Sequence, residues 1–386
     1  MYKSNLKAYF LFGVVALILS CNASKKINAV QKSTTISALH FLGEKDVPYN
    51  LSFNNTTVGG LSGIDYNAAA NTYYIICDDR STINPARFYT AKILVTPAGI
   101  DSILFTGVHS LLQPNGHVYP NSRQDPYHTP DPEAMRYNPI TKQLTWSSEG
   151  ERIVTKKDTV LEDPSVIMIT ADGKYVDSFV MPPNLKMHAT EKGPRQNGVL
   201  EGLTFADNYK TLFVNVEEPL YEDGPRVDIT DKGTYIRLLK FDIATKKNTA
   251  QYAYKPENVA HAAVPENAYK INGIPDILSI GDNQLLVIER SYSTGRMACT
   301  IKVFAADLNT ATDITNLPLA GATGRFAPAT KKLIVNMDNL GIYIDNIEGV
   351  TFGPNLPNGH KTLLFVADNN FNEKEITQFL LFEVMP

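Results

Sequence analysis

Gly59-Gly60-Leu61-Ser62-Gly63-Ile64-Asp65 opens a strand, and after a short turn a second apolar strand ends in acids at Cys77-Asp78-Asp79-Arg80. The chain repeats this unit. Further copies begin at Asp131-Pro132-Glu133-Ala134-Met135, Val199-Leu200-Glu201-Gly202-Leu203, Ile274-Pro275-Asp276-Ile277-Leu278 and Ile347-Glu348-Gly349-Val350-Thr351. Their second strands end at Ser148-Glu149-Gly150-Glu151-Arg152, Val216-Glu217-Glu218-Pro219, Ile288-Glu289-Arg290-Ser291 and Ala367-Asp368-Asn369-Asn370. With Gly63, Glu133, Glu201, Asp276 and Glu348 aligned, subtraction gives spacings of 70, 68, 75 and 72 residues. So regular a period marks a repeated supersecondary unit.

Each unit is rich in Val, Ile, Thr, Tyr and Phe, is cut by Gly, Pro, Asn and Asp, and carries no long helical period. In the third unit, Leu203–Phe205 leads to Thr211–Val216, and Tyr235–Phe241 and Gln251–Tyr254 supply two outer strands. Four-stranded sheets repeated around an axis make a β-propeller. The expected fold is therefore all-β, a propeller of five or six blades. The sixth is left open by further strand-like pieces in residues 305–345, such as Lys332-Leu333-Ile334-Val335. The last unit has only three strands before the chain stops at Pro386, and Thr35–Leu42 precedes the first unit. The N-terminal strand is thus expected to complete the last blade and remove an open edge.

Of the 386 residues, 43% are hydrophobic and 20% charged, as suits a globular body. The formal charge is −4, which becomes −6 without Lys3 and Lys7. A mildly acidic body lacks the basic patch of a nucleic-acid binder, so no nucleic-acid partner is expected. Lys3 and Lys7 precede the apolar run Ala8–Leu19, which is too short to span a bilayer and shaped for export. The run ends at Leu19-Ser20-Cys21, which resembles a lipobox. The expected organisation is a lipoprotein signal peptide at 1–21, a tether at 22–34 and a propeller at 35–386. Lipidation of Cys21 would hold the protein to a membrane of the bacterial cell envelope. The ordinary alternative is a cleaved signal peptide. Cys77 and Cys299 read as two buried thiols, and the chain has no CxxC, HExxH, GxSxG or P-loop.

In a propeller the first strand of each blade lines the channel, so equivalent positions face one another. Glu133, Glu201, Asp276 and Glu348 enter those strands, and Glu149, Glu217, Glu289 and Asp368 end the next ones. Carboxylates gathered in this way raise one another's pKa and call for a positive partner. A hard cation such as Ca²⁺ supplies one; the candidate ligands are Asp79, Asp131, Glu133, Glu201, Glu289, Glu348 and Asp368. The basic residues Arg80, Arg152 and Arg290 supply another, as anion clamps or as inter-blade salt bridges. Glu149 and Glu217 are candidate general bases. The Pro-rich loop Gln113–Thr129 brings His128 beside Asp131 as a candidate substrate contact or as a cap on the channel. Lys192 and Arg195, in a charged loop leading to Glu201, are candidate anion contacts or a solvated turn.

The motifs Gly-Gly-Leu-Ser-Gly-Ile-Asp-Tyr with Asp-Asp-Arg, Pro-Glu-Ala with Ser-Glu-Gly-Glu-Arg, Leu-Glu-Gly-Leu-Thr-Phe, and Asn-Ile-Glu-Gly-Val-Thr-Phe with Ala-Asp-Asn-Asn-Phe resemble the phytase-like esterase family of secreted bacterial proteins across residues 55 to 385. The resemblance implies a propeller with phosphoesterase or esterase activity, and the Asp131-Pro132-Glu133-Ala134 segment is similar to a metal motif of calcium-dependent propeller phytases. The sequence departs from those phytases in lacking a run of lysines and arginines for a polyphosphate, so phytate itself is not the expected substrate. The leading expectation is metal-assisted hydrolysis of a small ester or phosphoester. The alternative is a non-catalytic propeller lipoprotein that binds a ligand or partner, with structural Ca²⁺. Lactonase or carboxylesterase chemistry on the same scaffold is a third course.

Overall fold

The computed structural model describes Met1, Tyr2 and residues 33–386; the expected leader, Cys21 and most of the 22–34 tether lie outside the described residues. Among the described residues there is no α-helix, and five antiparallel sheets of the propeller type follow one another along the chain. The first is built from Gly63–Asn67, Thr72–Cys77, Arg87–Thr96 and Gly99–Ser110, and the third from Leu200–Ala206, Thr211–Val216, Ile236–Asp242 and Lys247–Tyr254. The second, Pro132–Asn138, Gln143–Ser148, Ser165–Thr170 and Tyr175–Ser178, carries an inserted hairpin of Glu151–Val154 and Thr159–Glu162.

The fourth blade differs. Its innermost strand is in two pieces, Lys270–Gly273 and Ile277–Gly281, both paired with the long strand Gln284–Ser293, followed by Thr300–Asp307 and Thr330–Asn336. The segment Lys332–Val335 lies in this outer strand, so the blade count is five and not six. The fifth blade holds Asn346–Phe352, Thr362–Asp368 and Thr377–Met385, and Ala38–Val47 pairs with the last of these as the fourth strand. The expected closure by the N-terminal strand is what the fold has. Phe41 packs on Phe382 with ring centroids 5.3 Å apart.

Strands buried on both faces alternate between two neighbours. In Thr362–Asp368, Leu363, Phe365 and Ala367 pack toward the fourth blade with Leu286 and Ile288. Leu364 and Val366 pack toward the first blade with Ile64 and Ile75. Each fully buried side chain of this size contributes roughly 1.5–3 kcal/mol.

At the axis the innermost strands crowd. A methyl group added to Gly202 would lie 2.5 Å from Asp276 Cα, and one added to Gly63 would lie 2.8 Å from Glu133 O. Arg136 and Asp276 close the middle of the channel. Arg136 Nη2 donates to both Asp276 oxygens at 2.9 and 2.7 Å, Nη1 donates to Ile64 O at 2.7 Å, and Asp276 accepts the Val350 N–H at 2.9 Å. This buried pair ties together four blades. A cavity opens at either end.

Candidate metal centre

In three blades the pairing of the two inner strands slips. Pro132 faces Ser148 but the next opposed pair is Met135 and Trp146; Leu200–Val216 is followed by Leu203–Val214; and Ile347–Ala367 is followed by Gly349–Val366. Glu133, Glu201 and Glu348 sit in these slips. A bulge leaves its extra residue out of the ladder and re-aims its side chain, and here all three glutamates line one cavity of about 570 Å³.

The opposed pairs Ile64–Ile75, Met135–Trp146, Leu203–Val214, Ile277–Val287 and Val350–Phe365 mark one level in all five blades. Three residues beyond the second member of each pair come Asp78, Glu149, Glu217, Arg290 and Asp368. Two expectations are corrected by this register. Asp78, not Asp79, is the acid of the first blade. Asp79 turns into its own loop, where it accepts the N–H groups of Thr82 at 2.7 Å and Asn84 at 2.8 Å and pairs with Arg87 at 2.7 Å. In the fourth blade the place belongs to Arg290, and Glu289 points to the opposite face of its strand. There it accepts from Tyr254 Oη at 2.7 Å, Asn272 Nδ2 at 2.9 Å, the Glu257 N–H at 2.7 Å and Lys331 Nζ at 2.6 Å. Asp276, expected in the ring, is the channel plug instead.

What gathers is dense. Asp131, Glu133 and Glu149 bring ligand oxygens within 4.8 Å of one another, and so do Glu149, Glu201 and Glu217. Glu149 belongs to both triads, and its Oε1 accepts the Val199 N–H. Burial raises the pKa of Glu149, and Asp131 and Glu217 raise it further. Burial and the neighbouring Glu201 do the same to Glu133. Asp131 is pushed up to about 7 by burial, against the pull of Arg80, and Glu348 to about 8 by burial and Asp368.

Asp368 Oδ2 is buried and meets no donor, and its neighbour is the Asp78 carboxyl. Two such oxygens face one another only with a shared proton or a cation between them. An all-oxygen donor set with an unpaired buried oxygen fits a hard divalent cation such as Ca²⁺.

Two guanidinium groups offset part of the charge. Arg290 donates from Nη2 to Glu217 at 2.7 Å and from Nη1 to Asn346 Oδ1 at 2.7 Å, with Glu348 at 3.8 Å. Arg80 lies 3.8 Å from Asp131 and pairs with Glu151 of the next blade. Neither arginine pairs with the acid that precedes it in sequence; both reach across a blade boundary.

The remaining expected contacts lie elsewhere. Arg152 turns away from the cavity and donates to the carbonyls of His188 at 2.9 Å and Thr190 at 3.2 Å. Arg195 donates to the carbonyls of Pro219 at 2.8 Å and Gly224 at 2.7 Å, and the two guanidinium groups lie 5.1 and 4.3 Å from the Tyr221 ring. They brace a loop rather than clamp an anion. His128 is 72% exposed and paired with Asp125, and Lys192 is exposed in its turn; neither lines the cavity. The Pro-rich loop packs on a loop of the first blade, with Asn121 Nδ2 donating to Ser81 O at 2.6 Å, and none of residues 113–129 lines the cavity. Cys77 and Cys299 are both buried and free, as expected.

Sequence reading missed Tyr269, Arg296, Met297, Tyr343 and Lys374, which line the same cavity together with Tyr292. They come from loops and an extended strand that the repeat does not share. The larger cavity, about 810 Å³, opens at the other end over Asp65, Tyr66 and Tyr137. It holds none of the carboxylate triads, so the smaller one is the candidate site.

The family model described as "Phytase-like: Esterase-like activity of phytase" matches residues 56–371. No curated protein matches the chain. Among solved structures, a Bacteroides thetaiotaomicron protein described as an endo-1,4-beta-xylanase is 12% identical over 83% of this chain and 90% of its own, with a TM-score of 0.44. The periplasmic gluconolactonase PpgL of Pseudomonas aeruginosa is 13% identical over 86% and 90%, with a TM-score of 0.37. The Xanthomonas campestris gluconolactonase XC5397 is 10% identical over 90% and 98%, with a TM-score of 0.34. None of these figures bears on chemistry.

Proposed function

The chain belongs to the phytase-like family, and from that premise we propose that it hydrolyses ester bonds as a metal-assisted phosphoesterase whose site is the carboxylate cavity. The observation that carries the reading is the sharing of Glu149 by two carboxylate triads, where burial and then the neighbouring Asp131 and Glu217 raise its pKa, a cost that a bound cation would relieve.

A divalent cation of the Ca²⁺ type, held by Asp131, Glu133 and Glu149, would polarise a phosphoryl oxygen and acidify a water. Arg290, fixed by Glu217 and Asn346, attracts the remaining phosphoryl oxygens into the acidic ring. Of the two bases expected from sequence, Glu149 is a holder of the cation, and Glu217 stands on Arg290 behind the cavity wall. The role passes to Glu201, which lines the cavity beside Glu149; burial and its carboxylate neighbours Glu149, Glu217 and Glu348 raise its pKa, Arg290 opposes them, and a bound cation would bring it to the ionised form a base needs. Glu201 takes a proton from the attacking water as its oxygen bonds to phosphorus and the ester P–O bond breaks. The proton then goes to the departing alcohol oxygen, leaving inorganic phosphate.

The test is hydrolysis of 4-nitrophenyl phosphate by the full chain with Ca²⁺ and with chelator. Glu133→Gln should lose both turnover and the rise in Tm on adding Ca²⁺. Glu201→Gln should lose about a hundredfold or more in kcat and keep that rise. Turnover that survives chelator and both substitutions overturns the mechanism. Stabilisation by Ca²⁺ with no turnover on phosphate esters, carboxylic esters or lactones favours the binding propeller instead. The proposal includes export and anchoring through Cys21. Cys21→Ser should release the protein from the membrane fraction, and unchanged sedimentation would refute the anchor.

A further inference from the structure

The geometry points to a phosphate monoester of a planar aromatic alcohol as the substrate class of this cavity, an inference that rests on the phosphoesterase reading. One wall is the carboxylate floor with Arg290. The other is Tyr269, Tyr292, Met297 and Tyr343. This second wall exists because the fourth blade has what the others lack: Lys270–Gly273 pairs with the far half of Gln284–Ser293, so the hairpin stands above the acids and carries Tyr292 with it.

Tyr269 and Tyr292 lie with centroids 6.2 Å apart and planes at 39°. Tyr269 is 51% exposed and Met297 72%, and Tyr343 Oη donates to Met297 O at 3.1 Å, which ties the two sides of the wall together. Aromatic and thioether groups left open on one side of a polar cavity fit a planar apolar body. The cations available, Arg290, Arg296 and Lys374, suit one phosphate and not a polyphosphate. An aryl phosphate satisfies both walls at once, with its phosphate on the floor and its ring on the tyrosines.

Aryl esters react faster than alkyl esters without any enzyme, so the test reads binding and not rate. Calorimetric titration of the Ca²⁺-loaded full chain with phenylphosphonate and methylphosphonate, neither of which turns over, should give about tenfold tighter binding of the phenyl compound. That preference should fall below about threefold in Tyr269→Ala and Tyr292→Ala and persist in Tyr292→Phe, with the Ca²⁺-induced rise in Tm unchanged in all three. Equal affinities in the unaltered protein, a preference that survives both alanine changes, or binding of neither phosphonate overturns the inference. Phenyl preference without hydrolysis of any phosphate ester sinks the phosphoesterase reading and leaves the aromatic wall; hydrolysis with equal affinities does the reverse.

Discussion

Arg290 holds in the fourth blade the place that Glu217 holds in the third, and the two side chains meet across the blade boundary at 2.7 Å. A ring of strand ends that is acidic in four blades is thus broken by one built-in cation. Removing it leaves the buried Glu217 without its counter-charge, which costs roughly 3 kcal/mol by the usual behaviour of broken buried pairs. Arg290→Gln should therefore lower Tm in chelator, and saturating Ca²⁺ should restore much of the loss because a second cation replaces the first. An Arg290→Gln protein as stable as the unaltered one in chelator would show that the arginine does not balance the ring.

Without a cation, stability should fall as pH rises. Asp131 is raised from 3.8 to about 7 and Glu348 from 4.5 to about 8, burial being the first cause in each. Acids with raised folded pKa values hold their protons better in the folded state, so they stabilise it at low pH and lose that effect as pH climbs from about 4 to 8. Exposed Asp172, lowered to about 2 by its hydrogen bond to Lys174, acts in the opposite sense but titrates below this window. Melting in chelator across pH 5 to 8 should give a declining Tm, and the increment from Ca²⁺ should grow over the same range. A Tm in chelator that climbs over this range contradicts the arrangement.

The fold was legible because both of its signals are periodic. Repeats near 70 residues and strand alternation give five blades in their order and even the closing strand, since Ala38–Val47 has the pattern the last blade lacks, while the strand-like pieces of residues 305–345 leave a sixth blade open. The site was legible where a blade obeys the repeat. Glu133, Glu201, Glu348, Glu149, Glu217 and Asp368 follow it and come together. The errors fall where residue type alone has to choose. In the fourth blade the acids chosen were 13 residues apart rather than 16, because Asp276 and Glu289 were aligned by residue type; the ladder instead sets Asp276 level with Gly63, Ala134, Gly202 and Gly349. The first blade offered two adjacent acids, and only the alternation of the strand after Ile75 tells Asp78 from Asp79. Arg152 and Arg195 lie in loops, where charge alone says nothing of direction.

Arg136 and Asp276 should behave as one unit. Both are almost fully buried, at 2% and 0% exposure, so neither charge has water to fall back on. Arg136→Met alone and Asp276→Leu alone should each cost about 3–5 kcal/mol, because each strands a buried partner. The double variant should cost clearly less than the sum, as coupled neighbours do. Denaturant unfolding of the four proteins completes the cycle. Additive losses would mean that the two residues hold the channel independently.

Closure of the ring by the first strand carries the last prediction. Ala38–Val47 covers the whole length of Thr377–Met385, from Ala38 opposite Met385 to Val47 opposite Thr377. Deleting residues 33–47 would expose that strand's hydrogen-bonding edge and uncover Phe382, and bare edges recruit other chains. The deleted protein should associate as its concentration rises, as read by light scattering. Phe41→Ala keeps the backbone pairing and removes only the ring against Phe382, so it should stay monodisperse and lose roughly 2–4 kcal/mol, set by how far the site collapses. A truncated chain that stays as dispersed and stable as the full one would mean that the fifth blade closes without the N-terminal strand, and that the hydrogen bonds from Ala38 to Val47 add nothing to the ring.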